Sequence, residues 1–390
     1  MKTENNPSYS LQQLVLYFLK LGYSGFGGPV ALVGYMHRDL VEKSKWISEE
    51  EYKEGLALAQ LAPGPLAAQL GIYLGFVHYR FIGATLTGLA FVIPSFLMVV
   101  AIGIAYRIFG GLPWMQSIFY GVGAAVIGII AMSSYKLTVK TVGKFNIGSL
   151  RKNWLLWLLF LFALTITLVT KEEKALVFIG SGLLYMLIKS PPKWARSRVA
   201  PMLFLVMGGL GFWEYETSTL MKIATFFTEA GAFVFGSGLA IIPFLHGSVV
   251  TDFHWLNEKQ FLDAVAVAMI TPGPVVITVG FIGYLVAGFP GAAVAALATF
   301  LPCYLITIAC APYFNKIAQN LAIKAFVDGI TASVVGALVG AVFIIAFRSI
   351  IDIPTAIIAL VSILSLIYIK KLQEPYIILI AAIIGLLINL

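Results

Sequence analysis

Phe26-Gly27-Gly28-Pro29, then Trp46, then Pro63-Gly64-Pro65: this order opens the chain, and Phe235-Gly236-Ser237-Gly238, Trp255 and Pro272-Gly273-Pro274 repeat it at an offset of 209 residues. Aligned without gaps, Lys20–Gly71 and Glu229–Gly280 are identical at 14 of 52 positions, among them Gly22/Gly231, His37/His246 and all three residues of Pro-Gly-Pro. One deletion then shortens the offset to 208, where Pro94 meets Pro302, Gly121 meets Gly329 and Gly128 meets Gly336. The chain is a duplication, and its most distinctive residues are helix breakers set at matching places in the two copies.

The surroundings of those breakers decide their meaning. Of 390 residues, 60% are hydrophobic and 11% charged, with mean hydropathy +0.93, whereas a soluble domain is about one quarter charged. This composition specifies an integral membrane protein. A spanning helix needs ~20 apolar residues, which predicts segments near 11–36, 54–79, 81–107, 114–138, 153–170 and 174–190, and a matching set near 220–245, 263–287, 290–313, 323–347, 353–370 and 375–390. The expected organisation is an N-terminal repeat over 1–192, a linker over 193–219 with a short apolar stretch at 200–213, and a C-terminal repeat over 220–390. Loop charge orients the repeats. If 200–213 crosses and the N-terminus is inside, the 25 Lys and Arg other than Lys20 divide 16 inside to 9 outside; without that crossing they divide 13 to 12. The positive-inside rule therefore predicts inverted repeats, a cytoplasmic N-terminus and an external C-terminus. The fold class is all-α, with two homologous repeats of about six helices each and helices broken at both motif pairs.

The polar first ten residues run straight into an apolar segment, so no cleavable leader is expected. Cys303 and Cys310 read as small apolar residues, neither disulfide nor metal site. No basic stripe with interleaved aromatics points to nucleic acid. No phosphate loop, His-Glu-x-x-His or Gly-x-Ser-x-Gly is present, so neither an enzyme nor a cofactor is expected.

Proline lacks a backbone N–H and suits the first position of a helix. Pro63-Gly64-Pro65 therefore predicts a helix that stops near Leu61 and restarts near Pro65, leaving the amides of Leu66, Ala67 and Ala68 free. Such an N-terminus carries roughly half a positive charge and binds anions. Gly27, Gly28 and Pro29 read the same way, as do Gly236, Ser237, Gly238 and Pro272-Gly273-Pro274. Non-helical backbone survives at membrane depth only against protein or a water-filled cavity, so four breaks predict one interior binding site. Lys20 stands just before the first break and could attract an anion. Gln60 and Gln69 around the first Pro-Gly-Pro, and Thr271 and Thr278 around the second, are neutral donors for an oxyanion. Glu229, the match of Lys20, and Asp328 are candidate proton carriers, since ionisable groups inside a membrane are functional by default. Ser48 with Glu51, and Asn257 with Gln260, predict capping boxes that start a helix just after each tryptophan. His37 and His246 match but read as loop residues.

The run Phe18-Leu-Lys-Leu-Gly22, Phe26-Gly-Gly-Pro29, Gly34-Tyr, Arg38, Val41-Glu, Trp46, Gln60, Pro63-Gly-Pro65, Gln69 and Gly71 resembles the N-terminal half of the chromate ion transporter family. Phe235-Gly236, Pro243, Trp255-Leu-x-Glu258 and Thr271-Pro-Gly-Pro274 resemble its C-terminal half. The resemblance implies a bacterial or archaeal inner-membrane protein of two oppositely oriented halves that exports chromate, with sulfate as a competing analogue. Glu229 and Ser237 depart from the family pattern, which commonly has a basic residue and a glycine there. The expected function is secondary transport of a tetrahedral dianion, chromate first, with sulfate or molybdate transport, an anion channel or a membrane-embedded enzyme on lipid headgroups as alternatives. Expected partners are the oxyanion, the bilayer and a second copy of the chain.

Overall fold

The computed structural model describes residues 8–171, 174–192, 218–232, 241–314, 318–369 and 372–389. The expected turn at Gly236-Ser237-Gly238 and the expected crossing at 200–213 lie outside these residues. Helix α1 (Leu11–Ser24) starts on a capping box of Ser10 and Gln13. It stops before Gly27, whose φ of +103° is left-handed and open to glycine without steric cost. Helix α2 (Gly28–Met36) follows with Pro29 in its first turn and widens into π-helical turns over His37–Lys43. Helix α3 (Glu49–Leu61) starts on the predicted box of Ser48 and Glu51. After Pro63-Gly64-Pro65 comes α4 (Leu66–Phe109), which doubles back at Arg80 (φ 52°, ψ −138°) into a short arm, 66–79, and a long arm, 81–109.

Two expected spans are corrected here. Tyr9, ahead of α1, stacks on Trp46, beyond α2, at 5.0 Å, and its Oη meets His78 Nδ1 at 2.7 Å. Tyr79 donates to the Tyr9 carbonyl, and His78 pairs with Glu51 at 3.3 Å. The segment 11–36 therefore begins and ends on one face, and so does 54–79. Neither crosses; each enters the protein, turns at its glycine or proline tip, and returns. We call the side holding Tyr9, Trp46 and Tyr79 the near face. Gly55 sits directly on the Tyr73 ring, which packs α3 antiparallel on the short arm. Thr87 Oγ1 donates to the Gly71 carbonyl at 3.0 Å, which fastens the short arm to the long arm. Hydropathy cannot separate one tilted span from two half-length helices, because both are one apolar run.

The second repeat reproduces this order. Helix α9 (Thr219–Ala232), α10 (Ile241–His246) with π-helical turns over Gly247–Asp252, and α11 (Glu258–Ile270), boxed by Asn257 and Gln260, lead to Pro272-Gly273-Pro274. A 3-10 turn (Val275–Ile277) opens α12 (Thr278–Cys310), which doubles back at Ala287-Gly288. The repeats are inverted. Thr85 Oγ1 meets Tyr304 Oη at 2.6 Å while Phe96 meets Phe289 at 6.1 Å between ring centres, so the long arms of α4 and α12 run antiparallel. The loop with Trp255 and Asn257 shares a cavity with Arg107, Gly110 and Gly111, on the far face.

Helices α5 (Pro113–Thr141), the short α6 (Ile147–Lys152), α7 (Trp154–Thr170) and α8 (Ala175–Lys189) complete the first repeat. Helices α13 (Leu321–Ser349), α14 (Ile353–Tyr368) and α15 (Glu374–Asn389) complete the second. Their packing is exchanged between repeats: α7 and α8 lie on α13, and α14 and α15 lie on α5. Small residues make these approaches close, as membrane helices require: Gly128 on the Ala359 carbonyl, Gly336 on Phe160, Gly121 on Gly385 and Gly329 on Gly182.

Candidate anion site at the hairpin tips

The two Pro-Gly-Pro tips reach the same depth and grip the opposite repeat. Gly64 (φ +140°) packs on Cys303 of the α12 long arm, where a Cβ would fall 2.9 Å from the Cys303 Cβ. Gly273 (φ +99°) packs on Ser95 of the α4 long arm, and its N–H donates to the Gly25 carbonyl at 2.8 Å. Ser95 Oγ in turn donates to the Gly22 carbonyl at 3.2 Å. Positions 95 and 303 differ by the same 208 that relates Pro94 to Pro302, so the two tip contacts are one contact made twice. The tip of hairpin α1–α2 and the second Pro-Gly-Pro are thereby joined.

Buried main chain at the first tip carries unused donors. The first helical bond of α4 runs from the Gln69 N–H to the Pro65 carbonyl at 2.9 Å. The amides of Leu66, Ala67 and Ala68, on residues at most 5% exposed, have no acceptor among the described residues. Val275 and Val276 open the matching helix, equally buried, with the first bond from the Ile277 N–H to the Pro274 carbonyl at 2.9 Å. Orphan amides inside a protein cost free energy unless something accepts from them, and an anion is the acceptor a helix N-terminus favours.

The predicted side chains divide. Gln69 is fully buried and donates Nε2 to the Pro63 carbonyl at 2.7 Å, while its Oε1 has no partner; it clamps the tip. Thr271 and Thr278 are buried and spend their hydroxyl protons on the Val267 and Val275 carbonyls at 2.6 and 2.7 Å. Gln60 ends α3 exposed. Lys20 is exposed on α1 and forms no ion pair among the described residues. Glu229 is half-buried on α9. Asp328 stands near Tyr185 and Lys324 in the first turns of α13.

Several polar groups escaped the sequence reading. His37 Nε2 meets Glu49 at 2.9 Å, and His246 Nε2 meets Glu258 at 2.7 Å: in both repeats the duplicated pair joins the point where the helix widens into π-helical turns to the start of the next helix. The His37 and Lys53 contacts hold the Glu49 carboxyl below its ordinary range. Glu258 also pairs with Arg348 at the end of α13. Asp263, 2% exposed, accepts from Tyr106 Oη at 2.6 Å. It lines a cavity of about 240 Å³ with Lys259, Tyr120 and Arg348. Glu374 Oε2 comes within 3.9 Å of where a Gly28 Cβ would be, so a carboxylate faces the tip of hairpin α1–α2. The usable signal was the offset of 209: Glu49 matches Glu258 and Glu54 matches Asp263. Among the described residues no group of His, Cys, Asp and Glu is arranged to hold a metal.

The family profile described as "Chromate transporter" matches residues 12–186 and 221–386. The chromate transport protein of Cupriavidus metallidurans is 62% identical over 385 residues, covering 97% of this chain and 94% of its own length. A probable chromate transport protein of Synechococcus elongatus is 60% identical, covering 97% of this chain and 96% of its own. An uncharacterized transporter of Bacillus subtilis is 24% identical over 190 residues, covering 48% of this chain but 91% of its own length. No solved structure matches. With both repeats matched over most of their length and Pro-Gly-Pro breakers that form paired tips, this multi-pass membrane protein belongs to the chromate transporter family.

Proposed function

We propose that this chain is a secondary transporter that exports chromate across the inner membrane, binding the dianion at the Pro-Gly-Pro tips. The observation that carries the reading is the run of buried, acceptor-free amides at Leu66, Ala67 and Ala68, repeated in kind at Val275 and Val276 and pointing to a tetrahedral oxyanion with several acceptor oxygens. Gly27 and Gly28, Gly64, Gly273 and the Gly236-Ser237-Gly238 turn would supply main chain to the site. Lys20 would raise the local anion concentration from α1. Glu229 remains the carboxylate proposed to carry a proton, with Asp328 second to it.

The charge of the passenger favours export. One charge crossing the membrane is worth ~2.3 kcal/mol per 100 mV, so a dianion leaving an inside-negative cell gains roughly 4.6 kcal/mol without ATP. The near face is the cytoplasmic one in this reading. Among the described residues other than Lys20, which stands near a hairpin tip, it carries twelve Lys and Arg, against six on the far face: Arg107, Lys171, Lys174, Lys222, Lys259 and Arg348. That bias is the one the positive-inside rule demands, and the hairpins sharpen it by returning Arg38, Lys43, Lys45 and Lys53 to the near side. The body that moves is a re-entrant hairpin rather than a sequence repeat, because the last helices of each repeat are packed on the other half.

The experiment is radiolabelled chromate and sulfate flux in inverted vesicles, with the potential and the pH gradient collapsed separately. Chromate accumulation that falls with the potential supports the reading; flux of neither dianion ends it. Lys20→Ala is expected to abolish flux at unchanged membrane levels, and full activity in that variant would remove Lys20 from the site.

A further inference from the structure

The duplication is even in sequence and uneven in packing. On the far face, Glu258 at the start of α11 binds both His246 and Arg348 at the end of α13. Helix α11 is packed along α5, α13 and α15, and His246 is 3% exposed. On the near face the same parts exist. Glu49 and His37 match Glu258 and His246, and Lys140, at the end of α5, matches Arg348 at offset 208. The His37–Glu49 contact is made, yet His37 is 31% exposed. Lys140 is exposed and forms no ion pair among the described residues. Helix α3 lacks packing on α13, α5 and α8 comparable to that of α11 on α5, α13 and α15.

Position along the neighbouring helix differs as well. Trp46 stacks on Tyr9, before α1 begins. Trp255 stacks at 6.4 Å on Phe227, well inside α9. Relative to its own first helix, the far-face hairpin sits deeper than the near-face one. Inverted repeats make the consequence specific: exchanging the two conformations between the repeats yields a second structure with the near face closed.

We propose that Glu49 and Lys140 form the ion pair that closes the near face in that second state, as Glu258 and Arg348 close the far face in this one. An ion pair at a partly exposed helix end is weak, which suits a contact made and broken in every cycle. Lys140 holds a carboxylate as a point charge, without the fork of Arg348, so the near closure is the looser. The inference rests on the transport reading for its purpose, but its geometry does not depend on which anion is carried.

The test is cysteine cross-linking in membranes. Cys310 is replaced by alanine; Cys303 is fully buried and stays. The pairs Glu258→Cys/Arg348→Cys and Glu49→Cys/Lys140→Cys are each bridged in intact vesicles with a reducible bis-thiosulfonate about as long as the ion pair it replaces, because side chains that meet at their charged ends hold their Cα atoms beyond direct disulfide reach. Both are expected to cross-link, each bond lowering flux more than tenfold and reductant restoring it. With all four cysteines present, one bond per molecule is expected. A near-face pair that stays unlinked where the far-face pair links, or both bonds in one molecule, would overturn the proposal. Charge exchange guards against misfolded cysteine variants. Glu49→Lys and Lys140→Glu singly are expected to cut flux several-fold, and the double variant to regain at least half; no recovery overturns the pair. Alternating cross-links without chromate flux would remove the substrate and leave the gate standing.

Discussion

Helices α3 and α11 descend from one segment and have parted company. Both start on a capping box, both carry a carboxylate that meets a histidine of the preceding turn, and both end at Pro-Gly-Pro. Yet where α11 has Leu262 and Met269, α3 has Lys53 and Gln60, and the buried Asp263 answers to the half-buried Glu54. The main chain of the two hairpins follows one plan, but the side chains suit different degrees of burial. A helix lined by Phe261, Leu262 and Met269 loses little by staying in protein. One carrying Lys53 and Gln60 must strip polar groups of water to dock as deeply, which costs free energy unless partners are supplied. Duplication preserved the Pro-Gly-Pro breaks at the tips and the His–Glu pairs at the rim, while drift between them left the two helices unequally buried.

The largest expected effect tests whether the two tips are equivalent. Gly64→Val and Gly273→Val each force a β-branched residue into left-handed backbone, a strain of about 1–3 kcal/mol, and drive it into Cys303 or Ser95. Both should reduce anion flux more than tenfold at normal membrane levels. Loss in one variant and full activity in the other would break the equivalence. Next, Tyr106→Phe takes the hydroxyl donor from buried Asp263 and should cost about 1–3 kcal/mol, the penalty for an unsatisfied buried acceptor, read from melting in detergent. Tyr73→Phe removes a 3.3 Å bond to partly exposed Glu54 and should cost less than about 1 kcal/mol; equal losses would show that α3 is as buried as α11. Third, Lys53→Leu makes α3 resemble α11 and should raise near-face cross-linking a few-fold. Smallest, Ser95→Cys copies the residue at position 303, giving up the bond to the Gly22 carbonyl for about 0.5–1.5 kcal/mol.

The duplication, the three breaks that fall within the described residues and both capping boxes were legible because each rests on local chemistry: missing N–H groups, a side-chain acceptor three residues before a Glu or Gln, and a fixed offset. The direction of the chain after each break was not. Residues 11–36 hold enough apolar length for one span or for two short helices, and composition is identical in either case. A clue was present in Arg80, a charge between two apolar stretches, at the point where α4 doubles back. At the site, the free amides after Pro65 follow from proline geometry alone. The use of Gln69 as a clamp, and of Ser95 and Cys303 as seats for the tips, depends on which helices meet, and no local pattern carries that. The His–Glu pairs were readable in principle: two matched histidines and two matched glutamates stood twelve residues apart in each copy.

The exchanged packing of α7 and α8 on α13, and of α14 and α15 on α5, has a consequence for how such a molecule arises. Neither half can complete its own wall. A single-repeat ancestor could have made this architecture only as two copies threaded into the membrane head to tail, each clasped by the closing helices of its twin. Fusion of two such copies fixes the ratio at one to one and lets each copy specialise, as the greasy α11 and the wetter α3 do.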